Sequence, residues 1–444
     1  MSNDDTIAAV ATAPGYAGIG IVRVSGKNIE SLILAVLGRQ IAPRRASLGK
    51  FLDAQGDALD LGIALYYPRP NSYTGEEVLE LQGHGGPALL RLVLQRCLDC
   101  GARLAEPGEF TLRAFLNSKL DLAQAEAVAD VIYAGSSSAA RSAMRSLQGD
   151  FSEAVEALRR KLVELRMLLE ATLDFPEEGV DFLEQINGHA QLEGLNAQLE
   201  RVFLASQQGS ILRDGINIAL VGKPNVGKSS LLNKLAGRDV AIVTDIPGTT
   251  RDLVQQSIEI AGIPVQLVDT AGLRETFDPI EVLGVSRAWV AARQADIVLL
   301  IGEDVDDLLL LRASAAKLRG QKHIFVINKI DLHSTPPALV TIGDEMHIYL
   351  SAKTGEGIDL LHRAVLSAIN WNPGSEGVFI ARERQLRALT EARLCMRRAV
   401  DVWGSVELVA EELRLAQDHL ASITGKFAAD DLLGEIFSRF CIGK

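Results

Sequence analysis

The sequence predicts a multidomain fold of mixed α/β and α+β class, and three observations carry that prediction. The texture of the 444 residues changes three times. Long helical runs stand on both sides of a stretch in which strands and helices alternate, and a glycine-rich turn joins strand to helix at the head of that stretch. The flanking helical runs imply one helical domain built from two chain segments, because neither amphipathic half buries its apolar face alone.

Residues 1–118 mix short β-branched runs, "GIGIVRVSG", "LGIALYYP" and "EEVLELQGHGG", with one or two helical stretches between Gly, Pro and Asn turns. This predicts an N-terminal α+β domain. Residues 119–211 become amphipathic runs with apolar positions three and four apart and Pro176 as their single proline, the pattern of a helical bundle. Residues 212–372 alternate strand and helix, which predicts a parallel, doubly wound sheet. Residues 373–444 return to helical periodicity in "ARERQLRALTEARLCMRRAV" and "SVELVAEELRLAQDHLASI".

Composition sets the outer bounds. With 48% hydrophobic and 23% charged residues the chain is globular rather than disordered. A formal charge of −12 repels polyanions, so any nucleic-acid contact needs a local basic surface. The longest apolar runs, "ADIVLLIG" and "INIALVG", fall short of the roughly 18 residues that cross a bilayer. The start "MSNDDTIAAV" is acidic rather than basic. The expectation is a cytoplasmic protein with no membrane partner. Cys97, Cys100, Cys395 and Cys441 are too few for a disulfide framework. Cys97 and Cys100 form a CxxC without a second pair, and read as small residues near a helix that ends at Gly101.

The chemistry concentrates in residues 212–372. "INIALVGKPNVGKSSLLNKLAG" carries G-x-x-x-x-G-K-S at Gly222, Gly227, Lys228 and Ser229, after an apolar strand and at the start of a helix. Glycines there let backbone N–H groups wrap phosphates, Lys228 reaches the β- and γ-phosphates, and the Ser229 hydroxyl suits Mg²⁺. "DTAG" (Asp269, Thr270, Ala271, Gly272) follows "PVQLV", with Asp269 near the metal and the Gly272 amide near a γ-phosphate. "NKID" (Asn328, Lys329, Ile330, Asp331) follows "HIFVI". Asp331 can accept from the N1–H and exocyclic amine of guanine, which adenine does not present, and Asn328 supports the purine's other edge. "SAK" (Ser351, Ala352, Lys353) offers a backbone amide to the guanine O6. "PGTTRD" offers Thr249 and Thr250 as a switch threonine for Mg²⁺. The order is that of a Ras-like P-loop G domain, and the ligand is GTP. Where Ras-like enzymes place a water-orienting glutamine after DTAG, this chain has Leu273. Asn225 in the loop can offer its side-chain oxygen to a monovalent cation, or simply shape the turn after Pro224. Glu275, Asp278 and Glu281 are the acidic residues available near the switch.

Across nearly its whole length the chain resembles the MnmE (TrmE) family of tRNA-modification GTPases. "GIGIVRVSG", "NSYTGEEVLELQGHGGP", "EPGEFTLRAFLNSKLDLAQAEAVADVI", the G motifs and "DDLLGEIFSRFCIGK" carry the likeness. The resemblance implies an N-terminal folate-binding and dimerisation domain (1–118), a helical domain from 119–211 and 373–444, and a G domain inserted at 212–372. It implies potassium binding by Asn225 with Thr244, Ile246 and Thr249, and GTP contacts by Asn225, Val226, Gly227, Lys228, Ser229 and Ser230. Further GTP contacts come from Thr244, Asp245, Ile246, Pro247, Gly248 and Thr249. The cation then takes the place of an arginine finger, Glu281 positions the attacking water, and Mg²⁺ sits at Ser229 and Thr250. Arg23, Glu80, Lys119 and Lys444 align with a site for 5-formyl- or 5,10-methylene-tetrahydrofolate, where Arg23 and the lysines can pair with carboxylates and Glu80 with pterin N–H groups. The implied reaction adds an aminomethyl or carboxymethylaminomethyl group to carbon 5 of the wobble uridine (position 34) of tRNA. It runs in a homodimer with the flavoprotein MnmG (GidA), which supplies FAD and NADH. A ribosome-assembly GTPase and a non-catalytic GTP-dependent scaffold are the alternatives. The chain departs from the family pattern at Tyr16 and Ala17, where Arg-Gly is usual, and at Ser118, where Gly commonly precedes the lysine.

The segment "CIGK" (Cys441 to Lys444) breaks the prenylation pattern at Gly443 and Lys444. The stretch before it stays amphipathic, so the expectation is a segment docked beside the folate site, with Cys441 a candidate participant once a neighbouring cation activates its thiol.

Overall fold

The protein, described by a computed structural model, is defined at residues 5–174, 187–238, 255–269, 290, 292–316, 318, 320–333, 335–372, 377–425, 430–438, 440 and 442–443. The chain divides into two compact units. One comprises Met1–Ala129, Ser146–Leu195 and Glu391–Lys444, and the other Asp130–Arg145 and Asn196–Thr390.

The first unit holds a six-stranded sheet. Its strands are β1 (Ile7–Val10), β2 (Ala17–Gly26), β3 (Ser47–Leu52), β4 (Ala58–Tyr67), β5 (Glu77–Gly85) and β6 (Arg103–Leu104), in the order β3-β4-β5-β2-β1-β6. Only the β1–β6 pair is parallel. Alternation fixes the faces: Val22 and Val24 of β2 and Leu79 and Leu81 of β5 enter one core with Leu32, Ile33 and Val36 of α1 (Glu30–Leu37) and Val93 and Cys97 of α2 (Pro87–Asp99). Among the described residues, 1–118 carry three helices rather than one or two, the third being α3 (Glu109–Leu116). Cys97 is fully buried, and burial pushes its thiol up to about 12, an inert packing residue as its position near the helix end implies.

Helices α4 (Leu122–Ile132), α5 (Ser137–Gln148), α6 (Asp150–Asp174) and α7 (Gly188–Asp214) follow in the helical stretch. Further on come α11 (Glu383–Asp401), α12 (Val406–Thr424) and α13 (Asp430–Ser438). Within the first unit α6 packs along α12, where Arg166 donates to Gln417 Oε1 at 2.9 Å. Halves of the helical sequence some 250 residues apart thus complete each other. Leu433, Ile436, Phe437 and Phe440 likewise cover Leu122 and Ala125.

The second unit holds the doubly wound sheet. It comprises β7 (Ile216–Gly222), β8 (Gln255–Ile260), β9 (Ile263–Asp269), β10 (Ile297–Gly302), β11 (Lys322–Ile327), β12 (Ala338–Ile342) and β13 (Glu345–Tyr349), ordered β12-β13-β11-β10-β7-β9-β8. The inner pairs are parallel, and β8 and β12 pair antiparallel at the two ends. Helices α8 (Lys228–Arg238), α9 (Val305–Ala316) and α10 (Ile358–Ala368) belong to the same unit. The continuous apolar runs of the sequence have a direct cause: Ile218 and Leu220 enter one core while Ala219 and Val221 enter the opposite one, so both faces of β7 are buried.

Candidate functional site

The parallel strands of the second unit end on one edge of the sheet, and the motifs follow them there. β7 ends at Gly222, β9 at Asp269, β11 at Ile327 and β13 at Tyr349. The chain leaves β7 to pair β9 on one side and β10 on the other, the strand-order reversal at which α/β sheets bind ligands.

Between β7 and α8 the loop turns through positive φ at Asn225 (64°) and Gly227 (95°). Asn is among the few side chains that accept this conformation readily, so Asn225 has a turn-forming role in its own right. Two glycines are needed for close approach: a Cβ at Gly222 would lie 2.3 Å from the Ile301 carbonyl oxygen, and one at Gly227 2.3 Å from Asn328 Nδ2. The loop delivers its amides to the N-terminus of α8, where the helix dipole favours an anion. Lys228, 8% exposed, donates from Nζ to the carbonyls of Gly222 (2.8 Å) and Lys223 (2.9 Å), so its ammonium lies over the loop. Ser229 and Ser230 are exposed in the first turn of α8; Val226 beneath them is buried.

Asn328 does more than the motif implied. Its Nδ2 donates to the Val226 carbonyl at 2.7 Å and its Oδ1 accepts the Ala352 amide at 2.9 Å. A single buried amide therefore ties the glycine-rich loop to the loops after β11 and β13. Asp331 accepts the Ser351 hydroxyl at 2.6 Å, which orients the carboxylate. Ile330 and Ser351 are buried, Lys353 is exposed, and Lys329 adopts φ 65°. The Ala352 amide of the SAK segment is engaged by Asn328. The acid run after β10, "GEDVDD", was unassigned from sequence. Glu303 accepts Lys329 Nζ at 2.5 Å, and Asp307 pairs with Lys223 at 2.6 Å. Burial pushes the Asp307 carboxyl up, but Lys223 and the Glu303 amide outweigh it and leave it below its ordinary value. These pairs strap the segment after β10 to the phosphate loop on one side and to the loop after β11 on the other.

Several expected residues lie outside the described ones: Thr244, Asp245, Ile246, Pro247, Gly248, Thr249, Thr250, Thr270, Ala271, Gly272, Leu273, Glu275, Asp278, Glu281, Cys441 and Lys444, and the side chain of Asp269.

A second cluster forms in the first unit. Strand pairing sets Arg23 of β2 opposite Glu80 of β5, and the guanidinium donates through Nε (3.0 Å) and Nη2 (2.9 Å) to Glu80 Oε1. Arg23 also lies 5.6 Å from the Tyr73 ring and 5.8 Å from the Phe110 ring, and its Nη1 donates to the Gly443 carbonyl at 3.4 Å. Ile442 bridges Pro107. Arg23 and Glu80 are thus brought together as one ion pair. Lys119 is exposed and donates to the Pro70 carbonyl at 3.2 Å. Ser118 before it has φ 56°, a conformation in which glycine carries the least strain. Tyr16 is 94% exposed.

Comparison with known proteins matches two family models: "GTP-binding protein TrmE N-terminus" over residues 6–119 and "MnmE helical domain" over residues 122–441. The tRNA modification GTPase MnmE of Nitrosomonas europaea is 56% identical over all of both chains. The corresponding protein of Nitrosomonas eutropha is 54% identical over all of both chains. That of Thiobacillus denitrificans is 55% identical over 99% of this chain and 98% of its own.

Proposed function

This chain belongs to the tRNA modification GTPase MnmE family, and from that membership we propose a potassium-dependent GTPase that acts with a flavoprotein on the wobble uridine of tRNA. The chain is a GTP hydrolase in tRNA modification. The observation that carries the nucleotide assignment is the convergence of three motif loops on one sheet edge, tied through Asn328. Backbone amides of residues 225–229 grip the phosphates, Lys228 neutralises their charge, and Asp331, oriented by Ser351, accepts from the guanine N–H groups. Ser229 with Thr250 holds Mg²⁺. Asn225 with Thr244, Ile246 and Thr249 would hold potassium, whose positive charge would take the place that an arginine has in other enzymes. Glu281 positions the water that attacks the γ-phosphorus, with GDP as the leaving group, which offsets the loss of a glutamine at Leu273.

The rest of the reading extends this. Residues 1–118 form the folate-binding and dimerisation domain, 212–372 the G domain, and 119–211 with 373–444 the helical domain. Arg23, Glu80, Lys119 and Lys444 hold 5-formyl- or 5,10-methylene-tetrahydrofolate as the one-carbon source, with Cys441 beside them. The Arg23–Glu80 pair fits such a ligand, since an oriented carboxylate next to a stacked guanidinium suits a flat heterocycle with several N–H groups. The partner is the flavoprotein MnmG, which brings FAD and NADH; the working form is a homodimer in the cytoplasm, with carbon 5 of uridine 34 as the acceptor. Family membership favours this over the ribosome-assembly alternative.

The test is GTP turnover in potassium against sodium for wild type and Asn225→Gly. Glycine keeps the positive φ while removing the side-chain oxygen, so a folding defect does not mimic the result. Strong potassium stimulation that the variant loses is expected. Equal rates in both salts for the wild type would overturn the cation role.

A further inference from the structure

In the seven-stranded sheet β10 lies between β7 and β11, so the segment that leaves its end stands between the phosphate loop after β7 and the base loop after β11. Both flanks are tight. On one side a Cβ at Gly222 would lie 2.3 Å from the Ile301 carbonyl oxygen, and on the other the Asn328 amide donates to the Gly302 carbonyl at 2.8 Å. The segment itself carries Glu303, Asp304, Asp306 and Asp307, four negative charges beside a site for a polyphosphate. Unpaired, such a run repels its ligand.

Two of the four engage lysines, one from each neighbouring loop. Asp307 Oδ1 pairs with Lys223 Nζ at 2.6 Å, and Glu303 Oε1 accepts Lys329 Nζ at 2.5 Å. Each lysine directly follows a residue that packs against β10, Lys223 after Gly222 and Lys329 after Asn328. Asp307 is fixed from within its own segment: it is 8% exposed, its Oδ2 accepts the Glu303 amide at 3.0 Å, and its amide donates to Asp304 Oδ1 at 2.9 Å. The Lys223 side chain is 56% exposed, so the carboxylate is the member of the pair that sets the direction. The Lys223 carbonyl in turn accepts Lys228 Nζ at 2.9 Å. At the other end Lys329 holds φ 65°, a conformation that a residue other than glycine keeps only when its surroundings hold it.

We propose that Asp307 and Glu303 are positioning residues for the nucleotide, one for each of its ends. Asp307 fixes the phosphate loop through Lys223 and with it the placement of Lys228; Glu303 fixes the base loop through Lys329 and with it the placement of Asp331. This rests on the GTP reading of the edge. The two ends carry different kinetic signatures. Lys228 acts on charge that builds during phosphoryl transfer, so loosening its support lowers kcat. Asp331 holds the base alike in ground and transition states, so loosening its support raises KM alone.

The experiment is steady-state GTP turnover by the full-length protein at an ionic strength of about 0.15 M, where long-range repulsion is screened. Asp307→Asn keeps an acceptor for the Glu303 amide and loses the charge. It is expected to lower kcat roughly fivefold with KM within about twofold, the upper range for an ion pair with one exposed partner. Glu303→Gln is expected to raise KM about threefold and leave kcat unchanged. Placed on Lys223→Met, Asp307→Asn should add nothing further, whereas a substitution that merely weakened the fold would add its loss. A wild-type or raised kcat for Asp307→Asn, or a loss that persists on Lys223→Met, overturns the phosphate-end role. An unchanged KM for Glu303→Gln, or a loss in kcat instead, overturns the base-end role. Lys228→Ala in the same series keeps the two readings apart. If it collapses turnover while both acid variants behave as wild type, the positioning is wrong and the GTP site stands; if it too is without effect, the GTP reading falls and the positioning with it.

Discussion

The nucleotide edge of the seven-stranded sheet and the outer face of the six-stranded sheet are built on opposite plans. At the edge the work falls to backbone: amides around positive-φ positions at Asn225 and Gly227, glycines that allow loops within 2.3 Å of a would-be Cβ, and Asn328 stitching loops together. On the face the work falls to side chains that pair at long range, with Arg23 and Glu80 57 positions apart and Arg23 and Gly443 420 positions apart. A backbone site is specified by a few contiguous residues and fails through one cation or one turn. A side-chain site is specified by strand register and fails when any partner leaves a buried charge behind.

The ion cluster in the first unit offers the harshest way to break that contrast. Arg113, 3% exposed, donates to Glu76 at 3.0 Å, Glu109 at 3.0 Å and Asp5 at 2.8 Å. Arg113→Ala leaves Glu76 and Glu109 as buried carboxylates and is expected to cost roughly 3–5 kcal/mol in urea unfolding. The cluster also sets an acid limit. Burial pushes the Glu109 carboxyl up, but Arg103, the Glu106 amide and Arg113 bring it below its ordinary 4.5. Hydrogen bonding to Arg103 similarly holds Asp5 below 3.8. Because the folded values are depressed, their stabilisation is full above the unfolded values and is lost as pH falls through the folded ones. Urea midpoints should therefore drop below a pH of about 4.5 in the wild type, and Arg113→Ala should shrink that drop, because acid then relieves buried carboxylates that have lost their partner. A midpoint indifferent to the substitution would mean that the face does not depend on these pairs.

Lys228→Ala tests the edge at the cation that lies over its phosphate loop. Its ammonium is already held over the phosphate loop by the carbonyls of Gly222 and Lys223, so removal should leave the fold intact and lower kcat for GTP on the order of a hundredfold. Lys228→Arg should recover little, since a planar guanidinium cannot take the place of a compact ammonium. A fall of under about threefold would shift the burden to the backbone amides and sharpen the contrast further.

These plans explain what could be read from residues alone. The three-part texture, the doubly wound sheet and the P-loop, NKID and SAK segments were legible because strand, turn and helix are adjacent in sequence and each glycine or lysine has one geometric reason. The buried run of β7 reads directly as a strand covered on both faces. Nothing local marks Arg23 as the partner of Glu80; strand pairing decides it, and composition would leave Arg23 a surface residue. Resemblance singled out Arg23 and Glu80 as site residues, but not their pairing. The clamp role of Asn328 and the Lys223–Asp307 and Lys329–Glu303 straps were missed for the same reason, although the acid run after β10 was a signal.

Asp331→Asn probes the place on the backbone edge where a side chain does the reading, and it should give the smallest of these effects. The Asp331 carboxylate, oriented by Ser351 at 2.6 Å, offers two acceptors to the N1–H and 2-amino groups of guanine. Asparagine keeps one acceptor and substitutes a donor, so GTP affinity should fall about tenfold, the scale of one charge-assisted hydrogen bond. Xanthosine triphosphate, with a carbonyl at position 2, presents an acceptor to that new donor and should gain affinity. Turnover at saturating nucleotide should change little, because the phosphate loop is untouched, so the loss belongs in KM rather than kcat. If kcat fell with affinity, the base loop and the phosphate loop would be acting as one unit through Asn328, and the division between a backbone edge and a side-chain face would have to be redrawn at that residue.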